Sequence, residues 1–130
     1  MSDIDWSSLR VLVVDDNANF RRITRTILQA VRVADIEEVT SAAEALERLS
    51  DYNPDVVLSD WRMEGMDGLE FVRTLRDKGV TTPVVMMTGY GEEDFETRAK
   101  DAGVTEFLEK PVTPKSIISS VARALARTAA

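Results

Sequence analysis

Neither histidine nor cysteine occurs anywhere in the 130 residues of this chain. Without cysteine there is no disulfide and no thiolate metal site, a composition that suits a reducing compartment and makes the cytoplasm the expected location. Without histidine the chain lacks the commonest general base and the commonest metal ligand. It also has no phosphohistidine of its own, so any histidine in its chemistry must belong to a partner. No apolar run approaches the ~18 residues of a membrane span, and no basic segment followed by an apolar one opens the chain, so neither a spanning helix nor a secretory leader is expected. Positive charge is scarce too: 16 Lys and Arg against 23 Asp and Glu leave a net charge of −7. That balance opposes non-specific attraction to nucleic acid or anionic lipid.

The length suits one ordinary domain with a real core. Short apolar runs recur at Arg10 to Val14, Asp35 to Val39, Asp55 to Ser59, Pro83 to Met87 and Thr105 to Glu109, and each reads as a strand. Between them the apolar residues take helical spacing: Phe20, Ile23, Ile27 and Val31; Ala42, Ala45, Leu46 and Leu49; Leu69, Val72 and Leu75. The same spacing continues with Phe95, Ala99 and Ala102 and ends with Ile117, Val121 and Leu125. Ser41 with Glu44 makes a capping box, Thr113-Pro114 a helix start, and Gly79 and Gly103 stand where helices should stop. The alternation predicts an α/β fold, (βα)5, with right-handed crossovers placing helices on both faces of a parallel sheet. Residues 1–8 are expected to be an N-terminal extension, with Trp6 on the domain edge or exposed, and the residues from Arg127 onward are expected to fray.

Polar residues close the strands. Asp15 and Asp16 follow the first, Asp60 the third, Thr88 the fourth and Lys110 the fifth. Any one of them alone reads more readily as a cap, turn former or loop residue. On parallel strands they would converge at one edge, where open α/β sheets place their chemistry. Three carboxylates within about 5 Å repel one another by roughly 3 kcal/mol per pair at an effective dielectric near 20, so the cluster favours a proton or a hard cation, Mg²⁺ first. Phosphoryl transfer onto a carboxylate needs this set of groups. Asp60 is the expected nucleophile, Asp15 and Asp16 the metal side, and Lys110 and Thr88 the groups that meet the phosphoryl oxygens.

The motifs Val13-Val14-Asp15-Asp16-Asn17, Ser59-Asp60-Trp61-Arg62-Met63, Met66-Asp67-Gly68-Leu69-Glu70, Met87-Thr88-Gly89 and Lys110-Pro111 resemble those of response-regulator receiver domains, the CheY-like single-domain group in particular. The resemblance covers residues 9–127, taken as the receiver domain. It implies a flavodoxin-like doubly wound sheet of order 2-1-3-4-5 and phosphorylation of Asp60 by the phosphohistidine of a histidine kinase or histidine phosphotransfer protein. It also implies Mg²⁺ bound by Asp16, Asp60 and the backbone carbonyl of Arg62, with Asp15 acting through the metal's water shell. Such a protein is a phosphoacceptor that catalyses its own phosphorylation and dephosphorylation, not an enzyme in the usual sense.

By the same resemblance Thr88 turns toward the phosphoryl group while the aromatic at Phe107 moves inward; lacking a tyrosine hydroxyl, Phe107 would couple through packing alone. Arg62 and Tyr90 border the path of the attacking water and would prolong the phosphorylated state, unless Arg62 instead pairs with a phosphoryl oxygen. Glu64 departs from the proline that similar proteins often carry. Arg21, Arg22 and Arg25 form a basic patch on the first helix, where the family would dock a kinase or phosphotransfer helix. Glu92, Glu93 and Asp94 suit the positive end of the fourth helix.

A haloacid-dehalogenase-like phosphatase would need a second aspartate two residues after the nucleophile, and Arg62 stands there. A flavodoxin-like cofactor binder would set phosphate against Asp15 and Asp16, which repel it. With all five key positions present, nothing supports a degenerate receiver. The chain stops just past the fifth helix, so output is expected through contact with a downstream protein target, in chemotaxis or another pathway. A phosphorelay intermediate or phosphate sink is the alternative. A monomer is expected, or a dimer on phosphorylation.

Overall fold

The computed structural model describes residues 4–89 and 94–128, and the side chain of Thr128 is not among them. Five strands and five helices alternate: β1 (Arg10–Val14), α1 (Ala18–Ala30), β2 (Asp35–Val39), α2 (Ala42–Arg48), β3 (Val56–Asp60), α3 (Gly68–Asp77), β4 (Val84–Thr88), α4 (Phe95–Ala102), β5 (Glu106–Glu109) and α5 (Pro114–Thr128). All pairings are parallel and the order is β2-β1-β3-β4-β5. This is the flavodoxin-like doubly wound sheet, whose strand order reverses beside β1 and opens a crevice at the carboxyl ends of β1 and β3.

Period-2 alternation along the strands divides the core between the two faces of the sheet. Leu12, Val14, Val57, Val84 and Met86 pack with α2, α3 and α4 on one side. Val11, Val13, Val56, Leu58, Val85 and Met87 pack with α1 and α5 on the other. Trp6 lies in a single 3-10 turn over Trp6–Ser8 and packs at the edge of the second cluster.

The helix ends follow local chemistry. Asn17, Ser41 and Asp67 cap α1, α2 and α3 by accepting from the backbone N–H three residues on. Thr113 and Ser116 exchange hydrogen bonds at the start of α5. Gly79 and Gly103 both take positive φ, as a helix stop requires. Two expectations are corrected. β3 and β4 each run one residue further than the apolar pattern suggested, so Asp60 and Thr88 are the last residues of their strands. In α1 the buried residues are Thr24, Ile27 and Leu28, whereas Ile23 is exposed, because the helix turns its Thr24 and Leu28 side to the sheet and leaves Ile23 at the margin of the buried face.

Candidate functional site

The C-terminal edge of the sheet gathers the expected residues. Backbone hydrogen bonds continue one residue past the strands, Asp15 N–H to Val39 O at 3.2 Å, Trp61 N–H to Met87 O at 3.0 Å and Lys110 N–H to Thr88 O at 2.8 Å, and hold the βα junctions level. Carboxylate oxygens of Asp15, Asp16 and Asp60 then lie within 4.8 Å of one another. Lys110 Nζ reaches Asp60 Oδ1 at 3.1 Å.

The three carboxylates differ in surroundings. Asp15 is wholly buried; its Oδ1 accepts from Asn17 N–H at 2.8 Å, while its Oδ2 is buried with no partner. Burial raises its pKa to about 6, assisted by the Asp60 charge and opposed by the Asn17 hydrogen bond. Asp60 is 6% exposed; burial raises its pKa as well, against the pull of the Lys110 ammonium. Asp16 is exposed, and its Oδ2 accepts from Glu64 N–H at 3.2 Å. A proline at position 64 would have no N–H to give, so the departure at Glu64 ties the β3–α3 loop to the acidic pair. All-oxygen donors, close spacing and an orphaned buried oxygen fit a hard cation such as Mg²⁺.

Thr88 is buried, and its Oγ1 makes a long 3.4 Å contact with Gly89 O. It is the last residue of β4 and does not cap α4, which begins at Phe95. Arg62 is exposed, with its guanidinium 4.3 Å from the centre of the Trp61 ring. Phe107 is half-buried and meets Phe95 edge to face at 5.3 Å. Tyr90, Glu92 and Glu93 lie outside the described residues. On α1, Arg21 and Arg25 both pair with Glu38 of β2, and Arg21 Nη1 donates to Asp15 O at 2.7 Å. Arg22 is the exposed member of that group.

Other contributors were invisible to residue spacing. The Lys110 ammonium sits 4.2 Å from the centre of the Phe20 ring. Gly68 donates to Trp61 O at 2.8 Å, and a Cβ there would stand 2.5 Å from Asp60 O. The signal for Gly68 was present only as a motif residue, and Phe20 carried none beyond its place in the apolar pattern.

The family model for the response regulator receiver domain matches residues 11–122. The transcriptional regulatory protein ResD of Bacillus subtilis is 36% identical over 118 residues, covering 91% of this chain and 48% of ResD. The C4-dicarboxylate transport transcriptional regulatory protein DctD of Pseudomonas aeruginosa is 35% identical, covering 89% of this chain and 25% of DctD. The chain thus spans half or less of the length of these relatives. Among solved structures, the chemotaxis response regulator CheY4 of Vibrio cholerae superposes with a TM-score of 0.81 at 30% identity, covering 89% of this chain and 98% of that one. NtrX of Brucella abortus superposes with a TM-score of 0.85 at 28% identity, covering 93% of this chain and 27% of NtrX. The chain belongs to the response regulator receiver domain family of two-component signalling. No helix among the described residues is long and apolar enough to cross a membrane.

Proposed function

From this membership we propose that Asp60 accepts a phosphoryl group from the phosphohistidine of a histidine kinase or histidine phosphotransfer protein, and that the phosphorylated chain signals by binding a downstream protein in the cytoplasm. The observation that carries the reading is Asp60 itself, buried at a strand end, 3.1 Å from Lys110 Nζ and within 4.8 Å of two further carboxylates. An Asp60 oxygen attacks phosphorus; the O–P bond forms as the P–N bond breaks, and the departing imidazole nitrogen takes up a proton. The phosphoryl group brings negative charge into an acidic pocket. Mg²⁺, held by Asp16, Asp60 and the Arg62 carbonyl with Asp15 acting through the metal's water shell, would neutralise that charge. Lys110 passes from the carboxylate to a phosphoryl oxygen as a compact positive charge. The Thr88 hydroxyl, weakly held on Gly89, turns to donate to another.

Arg62 and Tyr90 are assigned to slowing hydrolysis of the acyl phosphate by crowding the water's approach. Phe107 answers Thr88 through packing. Docking of the phosphodonor falls on α1, where Arg22 and the 51% exposed Ile23 present a cation beside an apolar side chain. Arg21 and Arg25 support that face from their pairs with Glu38. Residues 9–127 form the receiver unit and 1–8 its extension. The unit is monomeric until phosphorylation, when it dimerises or engages its target.

Incubation with Mg²⁺ and acetyl phosphate, followed by mass spectrometry, tests the assignment. Wild type is expected to gain one phosphoryl group that disappears with time, and Asp60→Asn to gain none while remaining folded. Label retained on the same loop in Asp60→Asn would overturn the choice of Asp60.

A further inference from the structure

Lys110 is held between groups of two kinds. Asp60 Oδ1 lies 3.1 Å from Nζ, and on another side the Phe20 ring centre lies 4.2 Å away. Phe20 stands in the first turn of α1, three residues after the Asn17 cap, and packs against the cluster beneath α1 and α5. The ring is therefore anchored by the core independently of the lysine. Arg21, its neighbour, ties the same turn to Asp15 O at 2.7 Å, so one helical turn serves both the acidic pair and the lysine.

An ammonium on a four-carbon stem has no directional fork and many rotamers, and a single contact to a carboxylate fixes it poorly. That contact also changes character when Asp60 is acylated, because the carboxylate's charge passes to the phosphoryl oxygens. The face of an aromatic ring attracts a cation whatever the state of Asp60. We propose that Phe20 is a positioning residue for phosphoryl transfer: its ring face holds the Lys110 ammonium over Asp60 before and after acylation. What this chain requires at position 20 is then aromatic character and not merely bulk. The inference rests on Asp60 being the phosphoacceptor.

The test compares wild type with Phe20→Leu, Phe20→Met and Phe20→Tyr as full chains, each checked for folding by circular dichroism. In metal-free protein, proton NMR should show the Lys110 Cε protons shifted upfield by the ring in wild type and Phe20→Tyr. In Phe20→Leu or Phe20→Met they should return to the ordinary lysine position. With saturating Mg²⁺ and acetyl phosphate, the Leu and Met variants should lose about three- to tenfold in maximal labelling rate, and Phe20→Tyr should stay within about twofold of wild type. The Mg²⁺ concentration for half-saturation should not move. Two aliphatic variants guard against one failing to fold. Wild-type kinetics in the aliphatic variants, equal slowing in Phe20→Tyr, or an unshifted Lys110 signal in wild type would each overturn the proposal. Absence of any label on wild-type Asp60 would instead overturn the phosphoacceptor reading on which it rests, and the proposal with it.

Discussion

The ring of Phe95, the first residue of α4, lies 4.7 Å from that of Trp61, the residue that follows Asp60. Phe95 in turn meets Phe107 at 5.3 Å, so three aromatic rings run from the residue beside Asp60 to β5. Trp61 is wholly buried, with the guanidiniums of Arg62 and Arg98 over its ring at 4.3 and 5.0 Å. Contacts of this kind are worth about 0.5–1.5 kcal/mol per aromatic pair beyond area burial. Phe95→Leu is therefore expected to lower stability by about 2 kcal/mol and to change Trp61 emission, read in a Trp6→Phe background by urea unfolding and fluorescence. Unaltered emission and stability would mean that α4 is held by other contacts.

Asp15 works against stability at neutral pH. Its folded-state pKa of about 6 lies above the ordinary 3.8, so the folded state holds a proton that the unfolded chain has already lost. The penalty is absent below the unfolded value, grows as pH rises between the two, and is complete above about 6. Asp15→Asn keeps an oxygen for the Asn17 N–H and removes the charge. In metal-free buffer it is expected to stabilise the fold at pH 7 by on the order of 2 kcal/mol and to leave it nearly unchanged at pH 3.5. Urea midpoints at both pH values read this directly, and a stabilisation independent of pH would assign the effect to something other than Asp15 ionisation. The same variant should need more Mg²⁺ for labelling.

Gly68 leaves no room for a methyl group. A Cβ there would meet Asp60 O at 2.5 Å, Met86 Sδ at 2.7 Å and Trp61 Cα at 3.0 Å. Backbone atoms cannot step aside as a side chain can, so Gly68→Ala must push α3 off the end of β3, at about 1–3 kcal/mol. Slower labelling of Asp60 should accompany the lost stability. A variant as stable and as active as wild type would contradict the close approach.

Arg76 joins three elements far from the acidic site. Its guanidinium donates to Val80 O and Thr82 O at 2.9 Å and to Gly103 O at 3.0 Å, tying the end of α3, the entry to β4 and the end of α4 together. Arg76→Ala leaves those carbonyls without this partner and is expected to cost about 3 kcal/mol. Arg76→Lys should recover part of it, since one ammonium cannot span all three acceptors. Labelling at Asp60 should persist in both variants under conditions where they are folded, and its loss would mean that the α3–α4 brace also shapes the site.

Much of the fold was legible because the information is local. Val11 to Val14, Val56 to Leu58 and Val84 to Met87 carry buried-strand composition, and Ser41 and Thr113 carry cap chemistry that acts within one turn. Ile23 was misplaced because apolar spacing fixes a helix's buried arc only to within about one residue, and the sheet's own surface chooses the rotation. The basic patch on α1 was legible as charge, but Glu38 of β2 takes up Arg21 and Arg25, a pairing that exists only once β2 lies beside β1.

By itself the sequence determined the βα alternation, the stopping points of α3 and α4 and the kind of chemistry that five strand-end residues can perform. These depend on neighbours a few positions apart and on side-chain type. Tertiary structure alone decided that Phe20 lies under Lys110, that Gly68 abuts Asp60, that Glu64 reaches Asp16, and that burial raises the proton affinity of Asp15. Those are contacts between residues remote in sequence. Their strength depends on distance and on excluded water, and the chain acquires both only when the sheet closes around its own edge.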